Sequence, residues 1–224
     1  MTLKRRLFYY ICMIFGQNLY LPINIFNHGG TTVDIWLDKL IPAWPVWTPI
    51  YFFWIPVWML AYLWAAIKME ERLFRALFIS SMTVFLPAML IFVLYPTYVV
   101  RPSLNGTDFF TNWLRWIYSN DRAYNALPSG HIYLTLLVVF FWSRWFPRMK
   151  WWLWGIFIIV ALSTLFTKQH VIVDLVGGFI LAWIGYRFGM WCIFKFKSDA
   201  NPPGRKGKNV FPEVGSSQAQ EREI

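Results

Sequence analysis

Charged residues are scarce in this chain. They make up 14% of its 224 residues, whereas soluble domains carry about 25%, so the chain lacks the polar groups needed to cover a surface that faces water. The shortage argues against a soluble enzyme, a disordered protein or a nucleic-acid-binding protein, although the net charge is +10. We therefore expect no nucleic-acid partner, and the informative feature is where the basic residues lie relative to the apolar runs.

Cysteine is also rare. The two cysteines, Cys12 and Cys192, lie in separate apolar stretches and are too far apart in sequence for a C-x-x-C metal or redox motif. We interpret both as buried membrane thiols, and they carry no information about the redox state of the compartment.

Apolar residues, by contrast, are abundant at 58%, and they include 21 Phe, 15 Trp and 11 Tyr. A membrane-spanning helix needs about 20 mostly apolar residues. The first apolar stretch follows three basic residues but has no small-x-small cleavage site after it, so we interpret it as a retained helix rather than a signal peptide. The sequence predicts an all-α polytopic membrane protein with a bundle of six transmembrane helices. The predicted spans are residues 7–26, 47–67, 76–100, 132–143, 151–167 and 171–193.

The distribution of basic residues predicts the orientation. With the N-terminus in the cytoplasm, 16 of the 21 Lys and Arg residues fall at cytoplasmic helix ends or in the C-terminal tail, as the positive-inside rule requires. Both termini are then cytoplasmic. We predict a membrane catalytic domain over residues 1–197 and a disordered cytoplasmic tail over residues 198–224, whose basic cluster lies against anionic headgroups.

Two segments that this orientation places outside the membrane are long. Residues 27–45 contain an amphipathic stretch at 31–37, and residues 101–127 have room for a helix around 109–118. We predict that both form short interfacial helices on the outer face.

Three polar clusters are not explained by membrane composition. Arg101 follows the third span, and the sequence Pro-Ser-Gly-His at residues 128–131 begins the fourth. Lys168 and His170 precede the sixth span, and Asp174 lies one turn inside it. An ionisable residue inside a span is costly and usually functional. Because the predicted topology puts all three clusters at one membrane face, we expect them to form one site.

Two histidines, a carboxylate, cations and the N–H groups of a helix start suit phosphoryl transfer. Cations and amides hold phosphate oxygens. One histidine can attack phosphorus while a carboxylate activates it, and the other histidine can protonate the leaving oxygen. Taken singly, each cluster also fits a helix cap or an interfacial anchor. A metal site of two histidines and a carboxylate is a further alternative, but the neighbouring Arg and Lys would repel a cation.

These residues resemble the type 2 phosphatidic acid phosphatase superfamily of membrane lipid phosphatases and phosphotransferases. The motifs of that family are K-x6-R-P, P-S-G-H and S-R-x5-H-x3-D. The second is complete at residues 128–131, the third is present as Ser163, His170 and Asp174, and the first survives as Arg101-Pro102. The resemblance is clearest over residues 51–193.

The sequence departs from the family pattern at two positions. Leu94 stands where the first motif has Lys, and Thr164 stands where the third has Arg. The segment before His170, with Lys168-Gln169, resembles the branch that contains inositol phosphorylceramide synthases, in which Lys168 would supply part of the lost charge. The departures bear on the substrate and on the reaction class more than on phosphoryl chemistry.

The resemblance implies a mechanism without a metal or another cofactor. His170 would attack the lipid phosphate and become a phospho-histidine, Asp174 would orient it, and His131 would protonate the leaving lipid oxygen. The residues implied to bind the phosphate are Arg101, Ser129, Gly130 and Lys168, and Tyr124 and Asn125 are candidate headgroup contacts.

The leading prediction is an integral-membrane phosphatase that cleaves a phosphomonoester or diphosphate of a lipid at the extracytoplasmic face. The first alternative is a phosphotransferase that moves a phospho-headgroup, such as phosphoinositol, to a lipid hydroxyl. A non-catalytic lipid-binding or transport protein and a metal-dependent hydrolase are the remaining alternatives. The expected partners are the lipid phosphate substrate and membrane lipids, and the sequence leaves the oligomeric state open.

Overall fold

The fold is built from helices. The computed structural model describes residues 1–195, which contain no β-strand and only two isolated bridges, and the predicted tail over residues 198–224 lies outside the described residues. The last helix continues into a π-helical turn, Trp191–Lys195. The α-helices of the described part are α1 Leu3–Asn18, α2 Tyr20–Phe26, α3 Trp36–Leu40, α4 Thr48–Lys68, α5 Glu71–Leu94, α6 Phe109–Asn120, α7 Gly130–Trp145, α8 Lys150–Phe166 and α9 Ile172–Met190.

Four stretches of the described chain are long and apolar enough to cross a membrane: Pro45–Lys68, Glu71–Leu94, Pro147–Phe166 and Ile172–Phe194. They correspond to four of the six predicted spans. The other two fall on α1 together with α2, which a break at Leu19 separates, and on α7. α1 and α7 have 16 residues each and are shorter than the roughly 20 residues that cross a bilayer. The all-α membrane architecture is therefore confirmed, whereas the count of six spans stays a prediction.

Local sequence explains where several helices begin and end. α5 stops at Leu94, before the predicted end of its span at residue 100, because Pro96 disfavours a helical conformation in the residue before it. α6 begins after Asp108, whose carboxylate accepts hydrogen bonds from the amides of Phe110 and Thr111 at 3.0 and 3.1 Å. The helix predicted around residues 109–118 corresponds to α6. The amphipathic stretch predicted at 31–37 is helical only from Trp36, where α3 begins, five residues after the start of that stretch.

α7 lies at the centre of the bundle. It contacts α4, α5, α8 and α9, and its eight consecutive residues 132–139 are all buried. A helix that is apolar on all sides is buried rather than amphipathic, which explains why its sequence shows no polar stripe. His131, its second residue, is thereby held between the surrounding helices.

Gly178 allows α9 to lie against the start of α7. A Cβ atom on Gly178 would lie 2.8 Å from the Ser129 carbonyl oxygen and 3.0 Å from the Ile132 Cβ. Since a backbone atom is one of the obstacles, the helices would have to separate. We expect Gly178→Ala to lower the stability of the detergent-solubilised protein by about 1–3 kcal/mol and to lower activity, because α7 contains His131 and α9 follows directly after His170.

Gly155→Ala is the matched control, because no atom lies within 4 Å of a Cβ built at this position in α8. Alanine is the better helix former, so this variant should unfold at the same or a higher temperature. Equal unfolding temperatures for the two variants would show that the contact at Gly178 can relax without cost.

Candidate active site

A cavity of about 400 Å³ lies at the end of the bundle where α7 and α9 begin. Arg101, His131 and His170 line it, together with apolar side chains of α4 such as Trp54 and Trp58. The structure thus brings together residues from the three polar clusters of the sequence. Their helices meet at this end because α5 runs toward it, whereas α7 and α9 run away from it.

His170 and Asp174 form a buried pair. His170 Nδ1 lies 3.3 Å from Asp174 Oδ2, and the side chains are 9% and 0% exposed. The same carboxylate oxygen accepts the amide N–H of Val171 at 2.9 Å. Because a carboxylate only accepts, the proton of the neutral ring resides on Nδ1. The lone pair of Nε2 is then available for a nucleophilic attack.

His131 lies across the cavity from His170, with their ring centroids 6.0 Å apart. Its ring stacks on the ring of Tyr51 at 4.2 Å, and its Nε2 is 3.2 Å from the Tyr51 carbonyl oxygen. The carbonyl can only accept, so Nε2 carries a hydrogen and Nδ1 is left to exchange a proton. The spacing of the rings leaves room for a phosphate group that both histidines can reach.

Arg101 lines the cavity while backbone oxygens hold its guanidinium group. Nη1 donates to the carbonyl of Asp121 at 2.6 Å and to that of Tyr118 at 3.3 Å, and Nη2 donates to the side-chain oxygen of Gln169. The group also lies 4.7 Å from the centre of the Tyr118 ring. These neutral partners position the guanidinium and leave its positive charge in place.

The start of α7 differs from the prediction in one respect. Ser129 occupies the N-cap position, but its hydroxyl makes no capping hydrogen bond and is buried without a partner among residues 1–195. Its amide donates to the Asp174 carbonyl at 3.0 Å, which ties α7 to α9. Ser129 does not line the cavity, whereas Gly130 does. The structure therefore places Gly130, and not Ser129, where a phosphate could contact it.

Lys168 is also placed away from the cavity. Its Nζ donates to the Asp38 carbonyl at 2.9 Å, and burial lowers the pKa of its amine while the charge of Asp38 opposes that shift. The backbone of Lys168 is left-handed, with φ of 52°, and this turn directs the next side chain, Gln169, to the cavity instead. The predicted contact of Lys168 with the phosphate has no counterpart in this arrangement.

The two positions that lack the family's cations lie in different environments. Leu94, the last residue of α5, is 71% exposed. Thr164 is fully buried, and its carbonyl accepts the amides of Gln169 and His170 at 3.1 and 3.2 Å. Thr164 thus supports the turn before His170.

Further polar residues line the cavity besides the cations and histidines; among them Tyr124 and Asn125 were predicted, and Asp121 was not. The Asp121 carboxylate accepts a hydrogen bond from the Tyr20 hydroxyl at 3.0 Å. Burial raises the pKa of the Asp121 carboxyl, and the charge of Arg101 and the bond from Tyr20 oppose the shift. Gln169 was also missed as a site residue, although it stands next to His170 in the sequence.

Residues 1–195 contain no group of three or more His, Cys, Asp or Glu side chains arranged to hold a metal ion. The donors and acceptors of the cavity include side-chain amides, two guanidinium groups, two imidazoles and the carboxylate of Asp121. They suit an anionic substrate that also carries hydrogen-bonding groups.

Comparison with known proteins agrees with this chemistry. The family model described as the PAP2 superfamily matches residues 46–188, which is well over half of the chain and includes Arg101, His131, His170 and Asp174. The chain belongs to the PAP2 superfamily. The resemblance inferred from the motifs is thereby confirmed, and membership together with the apolar helices makes the chain an integral membrane protein.

A curated relative supports the branch as well as the family. The chain is 33% identical over 102 residues to the inositol phosphorylceramide synthase catalytic subunit aur1 of Schizosaccharomyces pombe. The match covers 41% of this chain and 23% of that relative, so the chain spans about a quarter of the relative's length. No solved structure matches the chain.

Proposed function

We propose that this protein is a lipid phosphatase that works through a phospho-histidine intermediate on His170. The observation that carries the proposal is the facing arrangement of the two histidines, with His170 backed by Asp174 and His131 across the cavity. Membership of the PAP2 superfamily supports an enzyme acting on lipid phosphates. The apolar walls of the cavity fit the lipid end of such a substrate.

In the first step, Nε2 of His170 attacks phosphorus, so that an N–P bond forms and the bond from phosphorus to the lipid oxygen breaks. His131 enters this step as the imidazolium, keeps its Nε2 hydrogen on the Tyr51 carbonyl, and gives its Nδ1 proton to that oxygen as it leaves. Asp174 accepts the Nδ1 hydrogen of His170 throughout and compensates the positive charge that the ring acquires. Arg101 and the backbone amide of Gly130 stabilise the negative charge on the phosphate oxygens.

In the second step, water attacks the phospho-histidine. His131, which lost its proton in the first step, takes a proton from this water, the new O–P bond forms and the N–P bond breaks. Inorganic phosphate leaves, and both histidines return to their starting protonation states. No step needs a metal ion or another cofactor.

A phosphotransferase is the second candidate, in which a lipid hydroxyl takes the place of water. A specific observation favours it: Arg101 and Arg122 are the cationic side chains lining the described cavity, and the carboxylate of Asp121 lines it too. The net charge of these three groups balances the single negative charge of a phosphodiester, whereas the second negative charge of a phosphomonoester is left uncompensated. The printed name of the curated relative, a synthase, points the same way.

The site is proposed to face the extracytoplasmic side. The opposite end of the bundle carries the basic residues that the positive-inside rule places in the cytoplasm. They include Arg6, whose guanidinium binds the carbonyls of Ala65 and Met69, and Lys68, Arg72 and Arg144.

The test uses purified protein in detergent with lipids labelled in the phosphate. Phosphatidic acid, phosphatidylglycerol phosphate, an isoprenyl phosphate and an isoprenyl diphosphate test hydrolysis, and phosphatidylinositol with ceramide or diacylglycerol tests transfer. We expect phosphate release from a terminal phosphate, and label trapped on the protein by an acid-free quench, because a phospho-histidine is labile in acid. A chelator should not change the rate.

Turnover of phosphatidylinositol only, with a labelled phospholipid formed from the added acceptor, would replace the phosphatase by the transferase. Loss of activity in chelator would instead support the metal-dependent hydrolase. Lipid binding without any turnover would support a non-catalytic lipid-binding or transport protein.

A further inference from the structure

Two buried side-chain amides in the cavity have hydrogens to donate and no acceptor among residues 1–195. They are Gln169 Nε2 and Asn125 Nδ2, in side chains that are 4% and 2% exposed. A buried donor without a partner costs about 1–3 kcal/mol, so such groups are normally satisfied. Because both residues line the same cavity as His131 and His170, a ligand is the natural acceptor.

The orientation of each amide follows from its neighbours. The side-chain oxygen of Gln169 accepts from Arg101 Nη2, and a guanidinium can only donate, so the NH2 group is the free end. Asn27 donates to the carbonyl of Phe92 at 3.1 Å and also to the side-chain oxygen of Asn125. The Asn125 oxygen is thereby occupied, and its NH2 group is free.

Asp121 adds an acceptor to these donors. Its Oδ1 accepts from Tyr20 and from Asn24 Nδ2, the latter at 3.2 Å, and its Oδ2 has no hydrogen-bond partner within the described chain. Asp121 lies near Gln169, because the guanidinium of Arg101 binds the Asp121 carbonyl and the Gln169 oxygen together. The same cavity therefore offers one carboxylate oxygen and two amide donors.

A free phosphate oxygen does not suit this combination, since it would be repelled by the carboxylate. An ammonium group could donate to Asp121 but could accept nothing from the amides. A hydroxyl group both donates and accepts. We propose that Asp121, Asn125 and Gln169 form a subsite for a hydroxyl group next to the reacting phosphate, which selects lipids with hydroxylated headgroups.

This inference rests on the proposed function for the position of the phosphate at His170. It applies equally to hydrolysis and to transfer. Phosphatidylglycerol phosphate and phosphatidic acid form a pair of phosphomonoesters, and phosphatidylglycerol and phosphatidylethanol form a matched pair of phosphodiesters of equal charge. In each pair the first lipid carries a hydroxyl group close to the phosphate and the second does not.

The experiment uses the pair of lipids that the purified protein turns over. It measures kcat/KM for the hydroxylated lipid divided by kcat/KM for the lipid without the hydroxyl group. We expect the wild type to prefer the hydroxylated lipid by about tenfold or more, the effect of one hydrogen bond to a charged group. Asp121→Asn replaces the free acceptor by a donor and should lower the ratio about tenfold. Asp34→Asn, at an exposed position that does not line the cavity, should leave the ratio unchanged.

Asn125→Asp is the second variant, in case Asp121→Asn does not fold. The backbone of Asn125 has a φ of 59°, which aspartate tolerates, and the change removes the NH2 donor. It should also lower the ratio. A wild-type ratio near one, or ratios in both variants equal to that of the wild type, would overturn the subsite.

A binding measurement separates failure of the subsite from failure of the proposed function. In His170→Ala protein, which cannot form the intermediate, glycerol 3-phosphate should raise the unfolding temperature more than ethyl phosphate, and Asp121→Asn should remove the difference. If this difference is present but wild type and His170→Ala have equal turnover, the subsite stands and the catalytic proposal fails. Equal shifts by the two ligands would overturn the subsite even in an active enzyme.

Discussion

Replacing His170 by alanine is expected to lower kcat by at least about 10⁴-fold, because no other side chain can take the place of the attacking nitrogen. The ring is held at Nδ1 by Asp174 and faces His131 across the cavity, 6.0 Å away between centroids. The label that is trapped on the wild-type protein should be absent from the variant. The measurement is turnover of the best lipid of the panel, with single-turnover labelling of the protein.

His28→Ala provides the matched control, since His28 is exposed and does not line the cavity of the two other histidines. Its activity should stay within about twofold of the wild type, as is usual for a surface change. Unfolding temperatures in detergent should be measured for both variants. Labelled protein or full turnover in a folded His170→Ala variant would remove His170 from the mechanism.

Asp174→Asn is expected to lower kcat by roughly 10³–10⁴-fold, the loss seen when a triad carboxylate is neutralised. The asparagine oxygen can still accept from His170 Nδ1 and from the Val171 amide, so the start of α9 should remain formed. What is lost is the negative charge that compensates the phosphorylated ring. Because the other oxygen of Asp174 is buried without a partner, the new NH2 group also lacks an acceptor.

A purely structural role for Asp174 predicts another pattern. The loss of activity would then follow the loss of stability, and the variant would be restored at lower temperature or by a stabilising lipid. With a positioning role in catalysis, the activity of the folded variant stays low at every temperature. The rate of phospho-histidine formation, measured in a single turnover, separates the two outcomes.

The residues proposed to react could be located from the sequence because each stands at a recognisable helix start. His170 lies two residues before α9 and Asp174 is the third residue of that helix, so the carboxylate reaches back to the Val171 amide and the His170 ring. Pro-Ser-Gly-His marks a helix start by composition alone. The family motifs indicated that these separate segments contribute to one site. The structure places His131, His170 and Arg101 around one cavity. Their catalytic roles remain proposals, since geometry shows only that they are together.

Other expected contacts are not seen in the structure, because a one-dimensional pattern does not specify where a side chain points. Lys168 was expected at the phosphate, yet the left-handed turn at this residue brings it to Asp38 and brings Gln169 to Arg101. Ser129 was expected to bind the phosphate, but it does not line the cavity, and its amide donates to the Asp174 carbonyl in another helix. The span count depends on helix length, and α1 and α7 are shorter than a typical span.

The sequence alone determined that this is a helical membrane protein of the PAP2 superfamily, because apolar runs and short motifs are local patterns of the chain. The same motifs pointed to the phosphoryl-transfer chemistry proposed above. Only the tertiary structure decided which polar groups share the cavity. Asp121 meets Tyr20 across about a hundred residues of sequence, and Asn125 meets Asn27 over a similar distance. Contacts of this kind arise from packing between helices, and no local spacing in the chain encodes them.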